Sequence, residues 1–318
     1  TLQSRSDFLA FCFEYTQFIA LPNDYVSNSF SDPAVAAYLD ALYTNAYETI
    51  FELPADPSAP TRAEKAAAFQ FVLWGDKPPR EALEASLKRL QTEHIEIYQL
   101  HWPNRGSYHF RQNWTYDPSQ QDKAATIANM VEVLEAAEAA QKAGKIGHFA
   151  LSNESAWGTA QWLRLSEERG LPRVQSIQNE YSLLCRHYDT DLAELAVNEK
   201  VTLLAYSPLA AGLLTAKYQD GTIPPGSRRA GNETLGGRVT ERAFQAVDAY
   251  SAIAERHGLD LVHMALAFTV QRPFPVSTIF GATTSGQLAH ILRGLDVTLS
   301  DEVQDEIAAT HKAIPMPF

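Results

Sequence analysis

The stretch IEIYQLHWP, residues 95–103, decides the fold class of this chain of 318 residues. Its first part, IEIYQL, is rich in β-branched and aromatic residues and stays apolar on both faces, which is typical of a strand in a parallel sheet covered by helices. Pro103 ends the strand, and His101 stands at its carboxyl end. A histidine at that point is either a structural residue or part of an active site, and alone it leaves both interpretations open.

Similar apolar runs recur along the chain and alternate with helical patterns. Two helical patterns end at Gly144 and Gly170, as helices with a glycine C-cap do. The alternation of eight strand candidates with helices predicts an α/β fold, a (β/α)8 TIM barrel formed by residues 1–318 as a single domain. An open doubly wound sheet is the alternative, but it usually has a Gly-rich turn after its first strand, and no GxGxxG occurs here. The other strand candidates are FLAFCF (8–13), YETIF (47–51), FQFVLW (69–74), IGHFAL (146–151), VQSIQ (174–178), VTLLAY (201–206) and VSTIF (276–280).

The composition limits the binding partners and the cellular compartment that we expect for this protein. A net charge of −12 and a pI near 5.2 argue against nucleic acid, which needs clustered Lys and Arg. Cys12 and Cys185 lie far apart and fit no metal-binding pattern, so we expect two reduced, buried thiols. No apolar run reaches membrane-span length, and the start, TLQSRSDFLAFCF, lacks a signal-peptide layout. We therefore expect a cytoplasmic protein without nucleic-acid or membrane partners, and the oligomeric state stays open.

Polar side chains follow four of the strand candidates at their carboxyl ends, where the active sites of TIM barrels lie. Each residue alone could be a strand cap or a turn residue. Together they offer imidazole, amide and hydroxyl groups and an aromatic face, which suits a polar, planar ligand. No cluster of carboxylates and histidines has ligand spacing, so no metal site is predicted. These residues are His101, Ser152-Asn153, Gln178-Asn179 and Tyr206-Ser207.

The stretch FGATTSGQL, residues 280–288, is a candidate phosphate site. Gly281 allows close backbone approach, and the N–H groups at the start of the following helix attract anions. The alternative is a plain capped helix start with Thr284 or Ser285 as the N-cap. Two long polar loops, 105–124 and 219–238, leave the same ends of the predicted strands and would shape a substrate pocket.

The order of several motifs resembles the aldo-keto reductase family, in particular the bacterial branch related to the potassium-channel β-subunits. The resemblance covers roughly residues 80 to 318. It implies a (β/α)8 barrel that binds NADPH without a Rossmann fold and reduces aldehydes or ketones, small-molecule carbonyl substrates, by hydride transfer. The motifs are YQLHWP, GKIGHFALSNES, QSIQNEYSLLCR, LLAYSPLAAGLLTAKY and FGATTSGQL.

The resemblance also implies roles for individual residues. His101 would orient the substrate carbonyl, and Tyr206 would stack on the nicotinamide ring. Ser152, Asn153 and Gln178 would hydrogen-bond the nicotinamide carboxamide. The remaining cofactor residues are Ser207, Leu209, Gly212 and Leu214 along the pyrophosphate, Lys217 and Arg228 as nearby cations, and Gly281, Thr283 and Gln287 at the adenosine end and its 2′-phosphate.

The N-terminal quarter departs from the family pattern. The family has an Asp and a general-acid Tyr in a DTAxxY-like stretch after strand two, and a catalytic Lys at the end of strand three. This chain has YETIFELPADP in the first place, and Lys77, the candidate catalytic lysine, comes one residue late. At the two positions that usually contact the adenine it has His290 and Ile291.

Three interpretations of the N-terminal quarter stay open. The protein is a catalytically altered relative, Tyr43 or Tyr47 supplies the acid, or the sequence given for residues 1 to about 80 is not the natural one. We expect an NADPH-dependent aldo-keto reductase. The alternatives are an NADPH-binding protein with little catalysis, acting in redox sensing or as an interaction subunit, and an unrelated barrel lyase or hydrolase.

Overall fold

The computed structural model describes residues 69–72, 79–90 and 92–318. They fall into two compact units. The N-terminal unit comprises the described part of Ile50–Asn179 together with Asp191–Leu203, and the C-terminal unit comprises Glu180–Thr190 and Leu204–Phe318. The strands predicted at 8–13 and 47–51 and the candidate Lys77 lie outside the described residues.

The strands of the described residues follow one another in the sheet in chain order, β1-β2-β3-β4-β5-β6. The pairs β1–β2, β2–β3 and β3–β4 are parallel. All six strands predicted between residues 69 and 280 are present, with ends shifted by up to two residues. Their bounds are β1 Phe69–Val72, β2 Ile95–Leu100, β3 Ile146–Ser152, β4 Val174–Glu180, β5 Thr202–Tyr206 and β6 Val276–Thr278.

The register of β2, β3 and β4 aligns their carboxyl ends. Leu100 of β2 is the partner of Leu151 of β3, and Ser152 is the partner of Gln178. An irregularity between Phe149 and Leu151 shifts the β3–β4 register and so brings Ser152 opposite Gln178. The apolar runs predicted to be covered on both faces are buried, as Ile95, Phe149 and Val174 show with at most 1% of their surface exposed.

The helices of the N-terminal unit begin and end where their capping residues predict. Asp122 caps the helix α2, Lys123–Lys142, by accepting a hydrogen bond from the Ala125 amide at 3.0 Å. Gly144 and Gly170, just beyond the ends of α2 and of α3, Ala156–Arg169, have φ of 70° and 64°, the left-handed conformation that favours glycine. The helix bounds are α1 Pro79–Leu90, α2 Lys123–Lys142, α3 Ala156–Arg169 and α4 Asp191–Glu199, with a 3-10 turn at Gln112–Trp114.

The C-terminal unit contains the last part of β5, β6 and five α-helices. The Ile279 amide donates to the Ala205 carbonyl at 2.8 Å, which joins the ends of β6 and β5. Tyr181, Phe268 and Phe274 pack as an aromatic cluster in its core. The helix bounds are α5 Arg228–Gly231, α6 Glu241–Arg256, α7 Leu261–Val270, α8 Ser285–Leu292 and α9 Asp301–Ala313, with 3-10 turns at His187–Asp189, Ala210–Thr215 and Gln219–Gly221.

Among the described residues, none of the helices combines the length and the apolar character that crossing a membrane requires. Cys185, the predicted buried thiol that falls in the described residues, is a reduced thiol and is buried. Cys12 lies outside them.

Candidate active site

Asn153 ties together three strand ends of the N-terminal unit. Its side-chain amide donates to the His101 carbonyl at 2.9 Å and to the Ser152 hydroxyl at 3.1 Å. Its backbone N–H donates to the Gln178 carbonyl at 2.9 Å. Asn153 is buried and has a φ of 55°, a left-handed conformation that Asn tolerates better than most residues. The structure therefore brings together four residues that the sequence predicted as a group.

The Ser152 side chain is bonded to the backbone of Gln178 rather than pointing freely into a pocket. The Ser152 hydroxyl donates to the Gln178 backbone carbonyl at 2.7 Å. Its hydrogen is thus used within the protein, and its oxygen is what Ser152 can offer a ligand. Both amide hydrogens of Asn153 are used in the same way, so its Oδ1 carbonyl is the atom suited to accept a hydrogen bond from an amide NH2 group.

His101 directly follows β2 and is half-buried. Burial lowers the pKa of its imidazole below the usual value, because desolvation disfavours the charged form. The ring is therefore neutral at neutral pH. A neutral imidazole can donate one hydrogen bond to a carbonyl oxygen without bringing a positive charge into the site.

A buried ion pair that was not predicted from the sequence lies next to this group. Arg105 and Glu154 form a two-pronged pair, one arm of which measures 3.0 Å, and only 9% and 3% of their side chains are exposed. The Glu154 carboxylate also accepts from the Trp162 indole at 3.3 Å and from the Ser155 amide at 2.7 Å. This satisfies the buried charge from several sides, as such pairs require.

The same pair joins the loop after β2 to the turn after β3. Arg105 belongs to the predicted loop 105–124, and Glu154 directly follows Asn153. A Cβ at Gly158 would overlap both the guanidinium and the carboxylate, so the ion pair would have to shift to accept any other residue there. The signals that could have revealed it were Arg105 close after His101, Glu154 next to Asn153, and a glycine in the first turn of α3.

In the C-terminal unit, Tyr206 and Ser207 stand at the end of β5. The Tyr206 carbonyl accepts from the Tyr181 amide at 3.2 Å, which fixes the strand end. Ser207 has a φ of 54°, and its carbonyl accepts from the Ala210 amide at 2.8 Å. The chain therefore turns sharply directly after Tyr206, the residue that by the resemblance would stack on the nicotinamide ring.

The segment after Ser207 has an unusual backbone. Ala210, Ala211 and Gly212 follow one another with φ of 47°, 57° and 96°. Positive φ is unfavourable for alanine, so the surrounding fold must hold these residues in place. Backbone conformations of this kind are found most often at ligand and active sites. Leu209 supports the turn, since its carbonyl accepts from the amides of Gly212 at 2.9 Å and Leu214 at 3.2 Å.

Arg228 lies close to a second arginine in this unit. Arg238 is buried and bonds the Glu180 carboxylate through Nε at 2.7 Å. Burial lowers the pKa of Arg228, and the positive charge of Arg238 adds to the effect. Burial also acts to lower the pKa of Arg238, but the Glu180 charge and hydrogen bond outweigh it, and the net shift is upward. A bound anion near Arg228 would offset its desolvation and the repulsion from Arg238.

The remaining predicted cofactor residues also lie in the C-terminal unit. Lys217 lies against Tyr218, with Nζ 5.1 Å from the ring centroid. Gln287 accepts from the Thr283 amide at 2.8 Å and from its hydroxyl at 3.0 Å. Thr284 is the N-cap of α8, as one of the two sequence interpretations predicted, and accepts from the Gln287 amide at 3.2 Å. Gly281 is exposed, and a Cβ there would meet nothing in the described protein.

Comparison with known proteins identifies the family of this chain. The model of the aldo/keto reductase family matches residues 77–312. Protein tas of Escherichia coli (strain K12) is 43% identical over 245 residues, which cover 75% of this chain and 68% of that protein. An aldo-keto reductase of Babesia bovis is 32% identical over 223 residues, or 65% of this chain and 76% of that protein. A probable voltage-gated potassium channel subunit beta of Arabidopsis thaliana is 28% identical over 263 residues, or 77% and 73%.

The chain belongs to the aldo/keto reductase family. The fold class of this family is the (β/α)8 barrel, which confirms the fold predicted from the alternation of strands and helices. The likeness to a potassium-channel β-subunit confirms the predicted branch of the family. The family consists of oxidoreductases, so the enzyme class predicted from the sequence is supported at that level.

Proposed function

We propose that this chain reduces aldehydes or ketones to alcohols with NADPH. The observation that supports this most is the hydrogen-bonded group at the strand ends of the N-terminal unit. There Asn153 binds the carbonyl of His101 and the hydroxyl of Ser152, and Ser152 binds the carbonyl of Gln178. By the resemblance these residues orient the substrate carbonyl and the nicotinamide.

The chemistry of the candidate residues fits NADPH. The Oδ1 atom of Asn153 suits the carboxamide NH2 group, and the charge of Arg228 suits a phosphate. Gly281 is open to solvent, so a ligand can approach its backbone. NADPH would supply a hydride to the carbonyl carbon, while the carbonyl oxygen gains a proton.

Each protein group would then have a separate task. The neutral His101 ring would donate a hydrogen bond to the carbonyl oxygen, which gains negative charge as the hydride arrives. The Tyr206 ring would support one face of the nicotinamide and so select the face presented to the substrate. In the family the proton comes from a Tyr, and Tyr43 and Tyr47 are the candidates in this chain.

The test mixes the full-length protein with NADPH and 4-nitrobenzaldehyde and follows the loss of the cofactor's absorbance band. We expect turnover, and we expect Tyr206→Ala to weaken NADPH binding while Tyr206→Phe, which keeps the ring, retains it. Tyr43→Phe and Tyr47→Phe identify the acid, because only one of them should abolish turnover without loss of NADPH binding. Intact cofactor binding without turnover on any of a panel of aldehydes and ketones would refute catalysis.

A second candidate function is NADPH binding with little catalysis, as in a redox sensor or an interaction subunit. The observation in its favour is the missing DTAxxY-like pattern in YETIFELPADP. It predicts quenching of tryptophan fluorescence by NADPH without aldehyde reduction. Peptide mass mapping of residues 1–80 of the purified protein separates a true loss of the motif from a different natural sequence.

A further inference from the structure

Asp260, His263 and His290 form a cluster in the C-terminal unit to which the proposed function gives no joint role, although His290 stands at one of the two positions that usually contact the adenine. Asp260 and His263 lie at the start of α7, and His290 lies on α8. Each residue offers one ligand atom, and these atoms all lie within 4.8 Å of one another. We propose that the three residues form a binding site for a divalent transition metal of the zinc type. The proposal does not depend on the proposed function.

His263 is already arranged as a metal ligand would be. Its Nε2 lies 2.6 Å from the His290 backbone carbonyl, which can only accept a hydrogen bond. Nε2 must therefore carry the proton, and Nδ1 keeps the lone pair that a metal needs. Histidine ligands in metalloproteins commonly donate their other N–H to a backbone carbonyl, and this bond fixes the tautomer and the orientation of the ring.

The His263 ring is also held in place by packing. It is stacked on the His290 ring, with centroids 4.7 Å apart and an interplanar angle of 28°. On another side it lies against Gly294, where any Cβ would overlap the imidazole. The two imidazoles therefore lie close together, and each has a nitrogen within 4.8 Å of a nitrogen of the other.

Asp260 supplies the anionic ligand. Its Oδ1 accepts from the amides of Val262 at 2.9 Å and His263 at 3.1 Å, which anchors the carboxylate at the N-terminus of α7. Oδ2 is the second oxygen of this carboxylate, and it is the one that Asp260 can offer a metal.

The ligand set selects the class of ion. Two imidazole nitrogens and one carboxylate oxygen suit Zn²⁺, Ni²⁺ or Cu²⁺, whereas Mg²⁺ and Ca²⁺ prefer oxygen ligands alone. The side chains of His290 and Asp260 are 37% and 39% exposed, so an ion can reach the site and keep water in a fourth position.

Arg293 is the group that opposes the metal. Its Nη2 donates to His290 Nδ1 at 3.2 Å, which leaves the proton on Nε2, where it is shared with Asp260 Oδ1 at 3.2 Å. For a metal to bind Nε2, the proton must leave that atom and Nδ1 must be able to take it up. Arg293 is exposed and can swing away, so we expect it to weaken the site rather than to block it.

The described residues contain a second cluster with similar chemistry, formed by His257, Glu302 and Glu306. There the Glu306 carboxylate is paired with Arg256 as well as with His257, whose Nε2 lies 3.0 Å from Oε1. The arginine already neutralises the carboxylate and would repel a cation. This cluster therefore serves as a matched control for the proposed site.

The experiment is isothermal titration calorimetry of Zn²⁺ with the untagged, metal-stripped full-length protein, in a buffer that does not bind metal. We expect binding that His290→Gln and Asp260→Asn each weaken by at least about 10-fold, as loss of metal-site groups commonly does. His257→Gln should leave the affinity unchanged, and Arg293→Ala should tighten it. The Zn²⁺ affinity of His263→Gln is interpreted only if its thermal unfolding curve matches that of the wild type. The reason is that the His263 ring also packs against His290 and Gly294 and so contributes to stability.

The proposal is overturned if the wild-type protein gives no Zn²⁺ binding. It is equally overturned if His290→Gln and Asp260→Asn bind Zn²⁺ as tightly as the wild type. In that case the cluster is only an ion pair that caps α7 and packs it against α8.

Discussion

Gly281 is a residue at which the effects of substitution on folding and on cofactor binding should separate. A Cβ at Gly281 would meet no protein atom, whereas one at Gly294 would overlap the His263 ring. We expect Gly281→Ala to change the free energy of unfolding by less than about 0.5 kcal/mol, as surface substitutions usually do. It should nevertheless weaken NADPH binding, because the family's cofactor would approach the backbone at this residue. Urea denaturation and quenching of tryptophan fluorescence by NADPH measure the two effects.

Gly294→Ala is the matched contrast at the same scale. We expect it to destabilise the protein, because α8 and the following turn must move to make room beside His263. If Gly281→Ala instead lowered the stability as much as Gly294→Ala, the conclusion that a Cβ at Gly281 meets no protein atom would be wrong. If Gly281→Ala left NADPH affinity unchanged, the role carried over to Gly281 would be wrong.

The Arg105–Glu154 pair acts between elements, because it joins the loop after β2 to the turn before α3. Removing one partner leaves a buried charge, so Arg105→Leu or Glu154→Gln should each cost about 3–5 kcal/mol of the free energy of unfolding. The control is Arg164→Ala on α3, whose partner Glu168 is four residues away and whose side chains are 44% and 54% exposed. An exposed helix pair contributes only about 0.3–0.5 kcal/mol.

Chemical denaturation at neutral pH measures these costs. Equal and small effects for the buried and the exposed pair would contradict the prediction. Because Glu154 follows Asn153 directly, the Glu154→Gln variant should also reduce turnover of the aldehyde, and Arg164→Ala should not.

The start of α8 gives a smaller effect at the same scale. Thr284→Ala removes the hydroxyl that accepts from the Gln287 amide and should cost about 1 kcal/mol, whereas Thr284→Ser keeps the acceptor and should cost little. Thermal unfolding curves of the two variants provide the comparison. A Thr284→Ser variant as unstable as Thr284→Ala would show that the methyl group, rather than the cap, is what matters there.

The elements that the sequence analysis found are those whose signals are local. Alternating apolar runs predicted strands such as IEIYQL, and Gly170 predicted the end of α3. Helix α7, LVHMALAFTV, was missed because it is apolar on nearly all sides and gives no helical period. Helix α9 was also missed, although Ser300 caps it and Val303 and Ile307 repeat at helical spacing.

In the predicted site, too, contacts between residues that are distant in the sequence were the ones not predicted. The grouping of His101, Ser152, Asn153 and Gln178 was predicted because all four stand at the ends of parallel strands. The Arg105–Glu154 pair was missed because its members are 49 residues apart and each looks like an ordinary loop residue. The cluster of Asp260, His263 and His290 was missed for a similar reason, since His290 lies on the next helix.

For the whole molecule, family membership confirms the predicted fold class, and the single domain of residues 1–318 stays a prediction. Half-buried histidines in both units give the molecule a common dependence on pH. Burial is the largest cause that lowers the pKa of each of them, because desolvation disfavours the imidazolium. These residues are His101 and His148 in the N-terminal unit and His187 and His311 in the C-terminal unit.

The sign of the effect on stability follows from the direction of these shifts. Histidines of the unfolded chain titrate near a pKa of about 6.5, and in the folded protein these four half-buried histidines have a lower pKa. As the pH falls through about 6.5, the unfolded state binds protons that the folded state does not, so the unfolded state is favoured. We therefore expect the urea midpoint to fall between about pH 7.5 and 5.5, before most carboxylates titrate. His148→Gln should make this fall shallower, because one of the four proton-binding differences is removed. A midpoint that stayed constant or rose over this interval would contradict the expectation, and so would an unchanged slope in a correctly folded His148→Gln variant.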